Sequence, residues 1–361
     1  MQRKTWLLGA AVAGGSLVIG IVVGVFLMKV WTRPLAPSLP TLVPTATQGA
    51  LPTQAPTQVP TQAATAAPPT ATPAPTNTPT PTPAPMCGGP ASMNILAIGT
   101  NRGFYDLADV IRVIRVDFVT GDVYVVPLPR DLKVDLPPKI TTYPSPQKLN
   151  EGYFLGTPVW QWGAPRSGGA ALLAQTLSYN FGITTDHYVV VSGKGFRDLV
   201  DAVGGVQIYL PAPVVDPGQA HANFPAGPQT LDGYHTWLLA RIRKNVGDPG
   251  RIERQNMILK ALLDRVTSPA ILPRLPEMAK LYSSLVMTDL SPQQISQLIC
   301  LLQKMDNPKA HFHFYAVPRD LLKESAESVY AGQVKNIRDV LLWDERYKQW
   351  LHDAIEGKIK P

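Results

Sequence analysis

From Trp6 to Met28 the chain runs 23 residues without a charged side chain, through Leu, Val, Ile, Ala and Gly. As a helix rising ~1.5 Å per residue, such a run matches the hydrocarbon thickness of a bilayer. Arg3 and Lys4 precede it, and Lys29 and Arg33 follow. A cleaved signal peptide is the rival reading, but the run is long for one and no small-x-small site closes it. The expectation is an uncleaved transmembrane signal-anchor over 6–28, a short cytoplasmic tail over 1–5, and the remainder exported.

Residues 34–86 are dominated by Pro, Thr and Ala, as in TPTPTPAP. With no apolar periodicity and no core to offset the ordering entropy, this stretch reads as a disordered, semi-rigid spacer, partly polyproline II. It would hold the following domain some distance off the membrane. It also explains why 37 of the 361 residues are Pro and only 16% are charged. The formal charge of +7 suits anionic lipid or a phosphorylated substrate, and is too modest to argue for nucleic acid. Two cysteines, Cys87 and Cys300, exclude a disulfide-rich framework and a four-cysteine zinc site. They could pair in an exported protein, or Cys300, in QLICLLQ, could be a small buried apolar residue.

Residues 87–361 are long enough for one substantial core. Strands are expected over Met93–Gly99, Val110–Phe118, Val123–Leu128, His187–Val191, Val206–Leu210 and His311–Val317. Helices are expected over Ala170–Tyr179, Gly193–Val203, Asp232–Leu238, Arg251–Val266, Met278–Leu285, Pro292–Gln303 and within Tyr330–Ala354. Their interleaving predicts a single α/β domain, a mixed sheet flanked by helices.

The stretch LLARIRKNVGDPGRIER, Leu238–Arg254, carries the chemistry. Asp248 suits a helix N-cap and Pro249 the first helical position. Arg251, Arg254 and Gln255 are spaced to share a helix face. Leu239–Arg243, read as a short strand, would turn Arg241 and Arg243 to one side. Arginines converging on a helix N-terminus suit a multiply charged anion such as a pyrophosphate, because guanidinium forks bind phosphate oxygens bidentately. The competing reading is a solvated charge ladder.

Four segments in order resemble the LytR-CpsA-Psr family of cell-wall glycopolymer ligases: ILAIGTNRGFYDLADVI, PLPRD, KLNEGYFLG and ARIRKNVGDPGRIERQ. DHYVVVSGKGFRDLVDAVGGVQIYLP, lying between them, also resembles the family's strand–helix–strand, and the likeness runs from about Met93 to Asp320. The resemblance implies transfer of a glycopolymer from a polyprenyl-pyrophosphate carrier to a peptidoglycan hydroxyl outside the cell membrane. It implies that Arg130, Arg241, Arg243, Arg251 and Gln255 contact the pyrophosphate. Asp109 would be a magnesium ligand, and Asp248 would orient an arginine or the metal shell. The polyprenyl tail would lie in an apolar tunnel.

Two departures bear on activity. Asn101 stands where the family has a metal-binding Asp, leaving a neutral oxygen beside Asp109. Leu107-Ala108 stands where an Arg-Ser pair is common, and Arg102 or Lys244 is the expected replacement cation. These departures motivate an alternative, a non-catalytic polyprenyl-phosphate or wall-binding protein. Arg254 and Asn150 complete the expected substrate contacts, and Asp131 is expected to hydrogen-bond within the Arg130 loop. Trp160 and Trp162 could meet glycan or membrane, or merely pack. His311 and His313 alternate on a strand, with no third metal ligand evident in the sequence. No helix-turn-helix signal supports a DNA-binding role.

Overall fold

The computed structural model describes residues 34, 38–39, 83–160, 168–218, 222–243, 247–281 and 283–361, and of Asp248 only the backbone. The expected tail and membrane segment, Trp162 and Lys244 lie outside the described residues, as does the expected spacer apart from residues 34, 38–39 and 83–86. Among the described residues no helix is long and apolar enough to cross a membrane.

Strands β1 (Ser92–Thr100), β2 (Ala108–Asp117) and β3 (Val123–Pro127) form an antiparallel meander. The β2–β3 turn is closed by Asp117, whose Oδ1 accepts from the Val119 and Thr120 amides at 2.8 and 2.9 Å, and by Gly121 at φ +83°. Short strands β4 (Lys133–Val134) and β5 (Gln147–Lys148) lead into α1 (Leu149–Phe154) and α2 (Gly168–Phe181). Next come β6 (His187–Ser192), α3 (Gly193–Ala202) and β7 (Val206–Leu210). The Ser192 hydroxyl caps α3 by accepting from the Gly195 amide. Gly204 and Gly205, at φ +81° and +79°, end that helix.

After β8 (Val214–Val215), β9 (Asn223–Phe224) and β10 (Gly227–Leu231) come α4 (Gly233–Leu239) and α5 (Gly247–Val266). The chain then runs through α6 (Leu275–Leu281), β11 (Val286–Thr288), α7 (Pro292–Lys304), α8 (Pro308–His311), β12 (Phe312–Phe314), the hairpin β13 (Lys323–Ala331) and β14 (Val334–Leu342), and α9 (Glu345–Ile355).

The central sheet has the order β11-β6-β1-β2-β3-β12. It is mixed: β1–β6 and β3–β12 are parallel and the other pairs antiparallel. One face buries Leu96, Ile98, Ile111 and Val113 against Tyr153 of α1, Leu173 and Leu177 of α2, and Leu351 of α9. The opposite face packs Met93, Ile95 and Val116 against Leu301 of α7. Farther along that face, α3, α4 and α5 cover the ends of β1, β2 and β6, with their own core around Val200, Leu239 and Ile258.

Two expectations need correction. Leu239–Arg243 is not a strand: α4 runs to Leu239, and Leu238, Leu239 and Ile242 are all buried, a helical spacing that continues into the turn. Helix α5 begins at Gly247, so Asp248 falls inside its first turn rather than before it. The helix expected within Tyr330–Ala354 is α9, and the hairpin strands β13 and β14 before it were not anticipated. Both hairpin strands are largely exposed, with Ile337 77% accessible, so they lack the apolar alternation that marks a half-buried strand. Leu39, inside the stretch expected to be a spacer, packs against the core and donates its amide to Asp289 Oδ2 at 3.3 Å. Of the two possibilities for the cysteines, the disulfide is the one found: Cys87 is bonded to Cys300, 213 residues away, pinning the start of the domain to α7.

Candidate active site

Two cavities of opposite character lie on either side of the loops that follow β1 and β3. The first, about 230 Å³, sits between the sheet and the α3–α4–α5 layer. Its floor is one face of the sheet: Ala97 and Gly99 of β1, Val110, Arg112 and Ile114 of β2, and Val189 and Val191 of β6. The small side chains at 97 and 99 leave the space open. A Cβ at Gly99 would stand only 3.0 Å from that of Val110. Phe196, Ile258 and Leu259 form its apolar roof. Asn101, Asp109, Arg241, Arg251 and Gln255 bring polar groups to the same cavity.

The second is a polar cleft of about 800 Å³ between the loops after β3 and the β13–β14 hairpin. Arg130, Asp131, Lys148, Asn150 and Arg243 line one side, and Glu324, Arg338 and Asp339 the other. Arg338 donates to Glu151 at 2.9 Å, tying the hairpin to α1.

A hydrogen bond from Arg130 Nη1 to Asp109 Oδ1 joins the two cavities. Arg130 Nε also lies 3.6 Å from Asp131, which accepts from Lys148 Nζ at 2.8 Å. Burial works to raise the Asp131 carboxyl. The Lys148 hydrogen bond and charge, with Arg130 and Arg243, outweigh it and hold the group below its ordinary value. Asp131 is thus an ionised partner that orients the loop, as expected. The Asn150 amide donates to the Arg130 carbonyl at 3.1 Å, so α1 fixes the same loop.

The arginines after α4 are held by α5. Gln255 Nε2 donates to the Ala240 carbonyl at 3.2 Å and Arg254 Nη1 to that of Ile242 at 2.5 Å. Arg241 stacks over the Trp237 ring at 4.5 Å, with Arg197 over the same ring at 5.3 Å. At Gly193 a Cβ would come 2.1 Å from the Asn101 carbonyl oxygen and 2.6 Å from Trp237 Nε1, so a residue without a side chain lets both approach.

The LytR_cpsA_psr family model matches residues 84–342. The chain belongs to the LytR-CpsA-Psr family. This LytR-CpsA-Psr protein is 28% identical over 216 residues to the polyisoprenyl-teichoic acid–peptidoglycan teichoic acid transferase TagU of Oceanobacillus iheyensis, covering 58% of this chain and 62% of that one. It spans less than two-thirds of the length of the curated relatives it matches first. Its fold is similar to that of B. subtilis TagV, with a TM-score of 0.55 at 22% identity over 75% of this chain and 98% of that one. It is also similar to protein gbs0355 from Streptococcus agalactiae, with a TM-score of 0.59 at 18% identity over 73% of this chain and 88% of that one.

In this LytR-CpsA-Psr domain the expected site residues divide. Asn101, Asp109, Arg241, Arg251 and Gln255 meet at the apolar cavity; Arg130, Asn150 and Arg243 meet at the polar cleft. Arg241 and Arg243 therefore face different cavities, not one side of a strand. Arg254 is buried, donates to the Ile242 carbonyl and lines neither cavity, so it ties α5 to the turn after α4. Arg102 is exposed and also lines neither. The side chain of Asp248 lies outside the described residues.

Sequence reasoning passed over Arg112, Trp237 and Lys148. Arg112 was visible as a charge inside the apolar strand VIRVIRV, and Trp237 as an aromatic four residues before Arg241. Trp160 is 49% exposed and meets Phe154 edge to face, while His311 and His313 both reach Asp122 Oδ1 at 3.2 Å. Among the described residues there is no cluster of three or more His, Cys, Asp or Glu fit to hold a metal. Asp109 and Asn101 both line the apolar cavity and are the residues that would hold a magnesium ion, with phosphate oxygens and water completing its shell.

Proposed function

We propose that this protein is a membrane-anchored, extracytoplasmic phosphotransferase that moves a glycopolymer from a polyprenyl-pyrophosphate carrier to a peptidoglycan sugar hydroxyl. The observation that carries the proposal is the Arg130–Asp109 hydrogen bond, which links a polar cleft to an apolar cavity. A substrate with a hydrocarbon tail, a diphosphate and a sugar chain needs those environments in that order. The names of relatives such as TagU, a teichoic acid transferase, support the same reaction class.

In this reading the polyprenyl end enters the apolar cavity and the glycan lies in the cleft. Arg241 and Arg251 meet the diphosphate from the cavity, and Arg130 and Arg243 from the cleft. The acceptor oxygen attacks the phosphorus that bears the glycopolymer. A new P–O bond forms as the bridging P–O bond breaks, polyprenyl phosphate leaves, and Asp109 takes the hydroxyl proton. Charge neutralisation by pre-positioned guanidiniums is the main catalytic contribution, as phosphoryl transfer demands. Magnesium held by Asp109 and Asn101 would add further neutralisation of the phosphate oxygens. The Cys87–Cys300 disulfide supports an oxidising compartment, and with it export of the domain.

A second reading, a binder that keeps the fold without transfer, is favoured by Asn101, which leaves Asp109 as the one carboxylate on the apolar cavity's wall among the described residues. The test is to supply the full-length protein in detergent with a lipid-linked glycopolymer and peptidoglycan. Transfer should release polyprenyl phosphate and attach the polymer to glycan. Release without attachment would make water the acceptor, and no release above the protein-free control would leave only the binder.

A further inference from the structure

Arg112 occupies an interior position of β2, directly opposite Ala97, with its side chain 3% exposed on the cavity floor. Its Nη1 donates to Asn256 Oδ1 at 2.7 Å, and Asn256 in turn donates to the Tyr315 carbonyl at 2.8 Å, so the guanidinium is anchored from one end. Its Nε and Nη2 are buried and have no hydrogen-bond partner among the described residues. Those two atoms form one edge of the guanidinium fork, the edge that receives two oxygens of a carboxylate or phosphate side by side.

Among the described residues, Arg112, Arg241 and Arg251 line the cavity together with one carboxylate, Asp109, which accepts from Arg130. Burial, and then the neighbouring charge of Arg251, pull Arg112 down to about 10, which leaves it protonated at neutral pH. A buried cation with three of its five N–H donors unmet is strongly disfavoured unless an anion completes it.

We propose that Arg112 is a further phosphate-binding residue, its Nε and Nη2 edge taking oxygens of a prenyl diphosphate beside Arg251. This rests on the reading of the cavity as the prenyl end of the carrier site. It also supplies a cation to a β1–β2 region where positions 107 and 108 carry none.

The test uses the full-length protein in detergent, geranylgeranyl pyrophosphate as the charged probe, and geranylgeraniol as its uncharged counterpart. Arg112→Gln should bind the pyrophosphate about 10- to 100-fold more weakly, as expected for the loss of charged hydrogen bonds. Its affinity for the alcohol should not change; equal weakening for both probes would mean a structural role and overturn the assignment. Wild-type pyrophosphate affinity in Arg112→Gln, with Arg241→Ala weakened, would overturn Arg112 while leaving the proposed function standing. Undiminished affinity in both variants would overturn the two together. If Arg112→Gln does not fold, the wild-type protein decides: the Arg112 Nε resonance should shift when the pyrophosphate is added, and an unmoved resonance overturns the assignment.

Discussion

Arg130 donates a hydrogen bond to Asp109 although the two line different cavities. The contact therefore sits where a substrate spanning both would place its reacting phosphorus. It also ties the loop after β3 to β2, so either side chain positions the other.

Arg130→Ala should lower transfer by about 10²- to 10³-fold, the usual consequence of removing one pre-positioned donor from developing charge. Turnover with saturating lipid-linked polymer measures it. A fall confined to KM would place Arg130 in ground-state binding instead.

Asn101→Asp would put a second carboxylate beside Asp109. Magnesium affinity, followed by calorimetry in the presence of a prenyl pyrophosphate, should rise on the order of tenfold as ligand charge increases. If transfer rises with it, Asn101 limits the native chemistry; if affinity stays flat, the ion is held elsewhere.

Gly193→Ala should disturb the site more than the fold. The new methyl would sit 2.1 Å from the Asn101 carbonyl oxygen, and overpacking of this kind costs about 1–3 kcal/mol. The expected signature is weaker prenyl-pyrophosphate binding with near-native circular dichroism.

Lys148→Met should raise the pH at which acid unfolds the domain. Asp131 has a lowered folded pKa, set by Lys148 against the opposing effect of burial. Its contribution is thus fully present above the unfolded carboxylate value of ~3.9 and fades as pH falls through the lower folded value. Without Lys148 that contribution should shrink, and an acid titration followed by tryptophan fluorescence would record the earlier transition.

Replacing Cys87 and Cys300 together by Ser should reduce stability by about 2–5 kcal/mol, because the bond closes a very long loop in the unfolded chain. Urea unfolding without reductant compares the two forms. Transfer activity of the folded variant should persist, since neither cysteine lines the two cavities.

Much of this site was legible because its residues cluster in short ordered motifs. Asp109, Arg130, Arg241, Arg251 and Gln255 all reach the two cavities from segments recognisable in the chain. The strand over 239–243 was misread because Leu239 and Ile242 suit either period over so short a window, and burial of Leu238 decides for the helix. Arg254 looked equivalent to Arg251 three residues before it, yet one helical turn separates a cavity wall from a turn carbonyl. Arg112 escaped notice because an arginine within an apolar strand has no local signal for the direction it faces. Cross-strand register against Ala97 supplies that direction. The β13–β14 hairpin, which walls the polar cleft, is held by its ladder and has almost no buried apolar face, so hydropathy could not reveal it.

Leu39 bears on where the domain can sit. Its amide is held by Asp289, and the Met86 amide by the Phe118 carbonyl, so the described residues on both sides of 40–82 pack on the same body. For a chain anchored through 6–28, altitude above the bilayer is governed by the segment from Met28 to Leu39, at most ~40 Å when fully stretched. The mouth of the apolar cavity would then lie within short reach of the lipid surface.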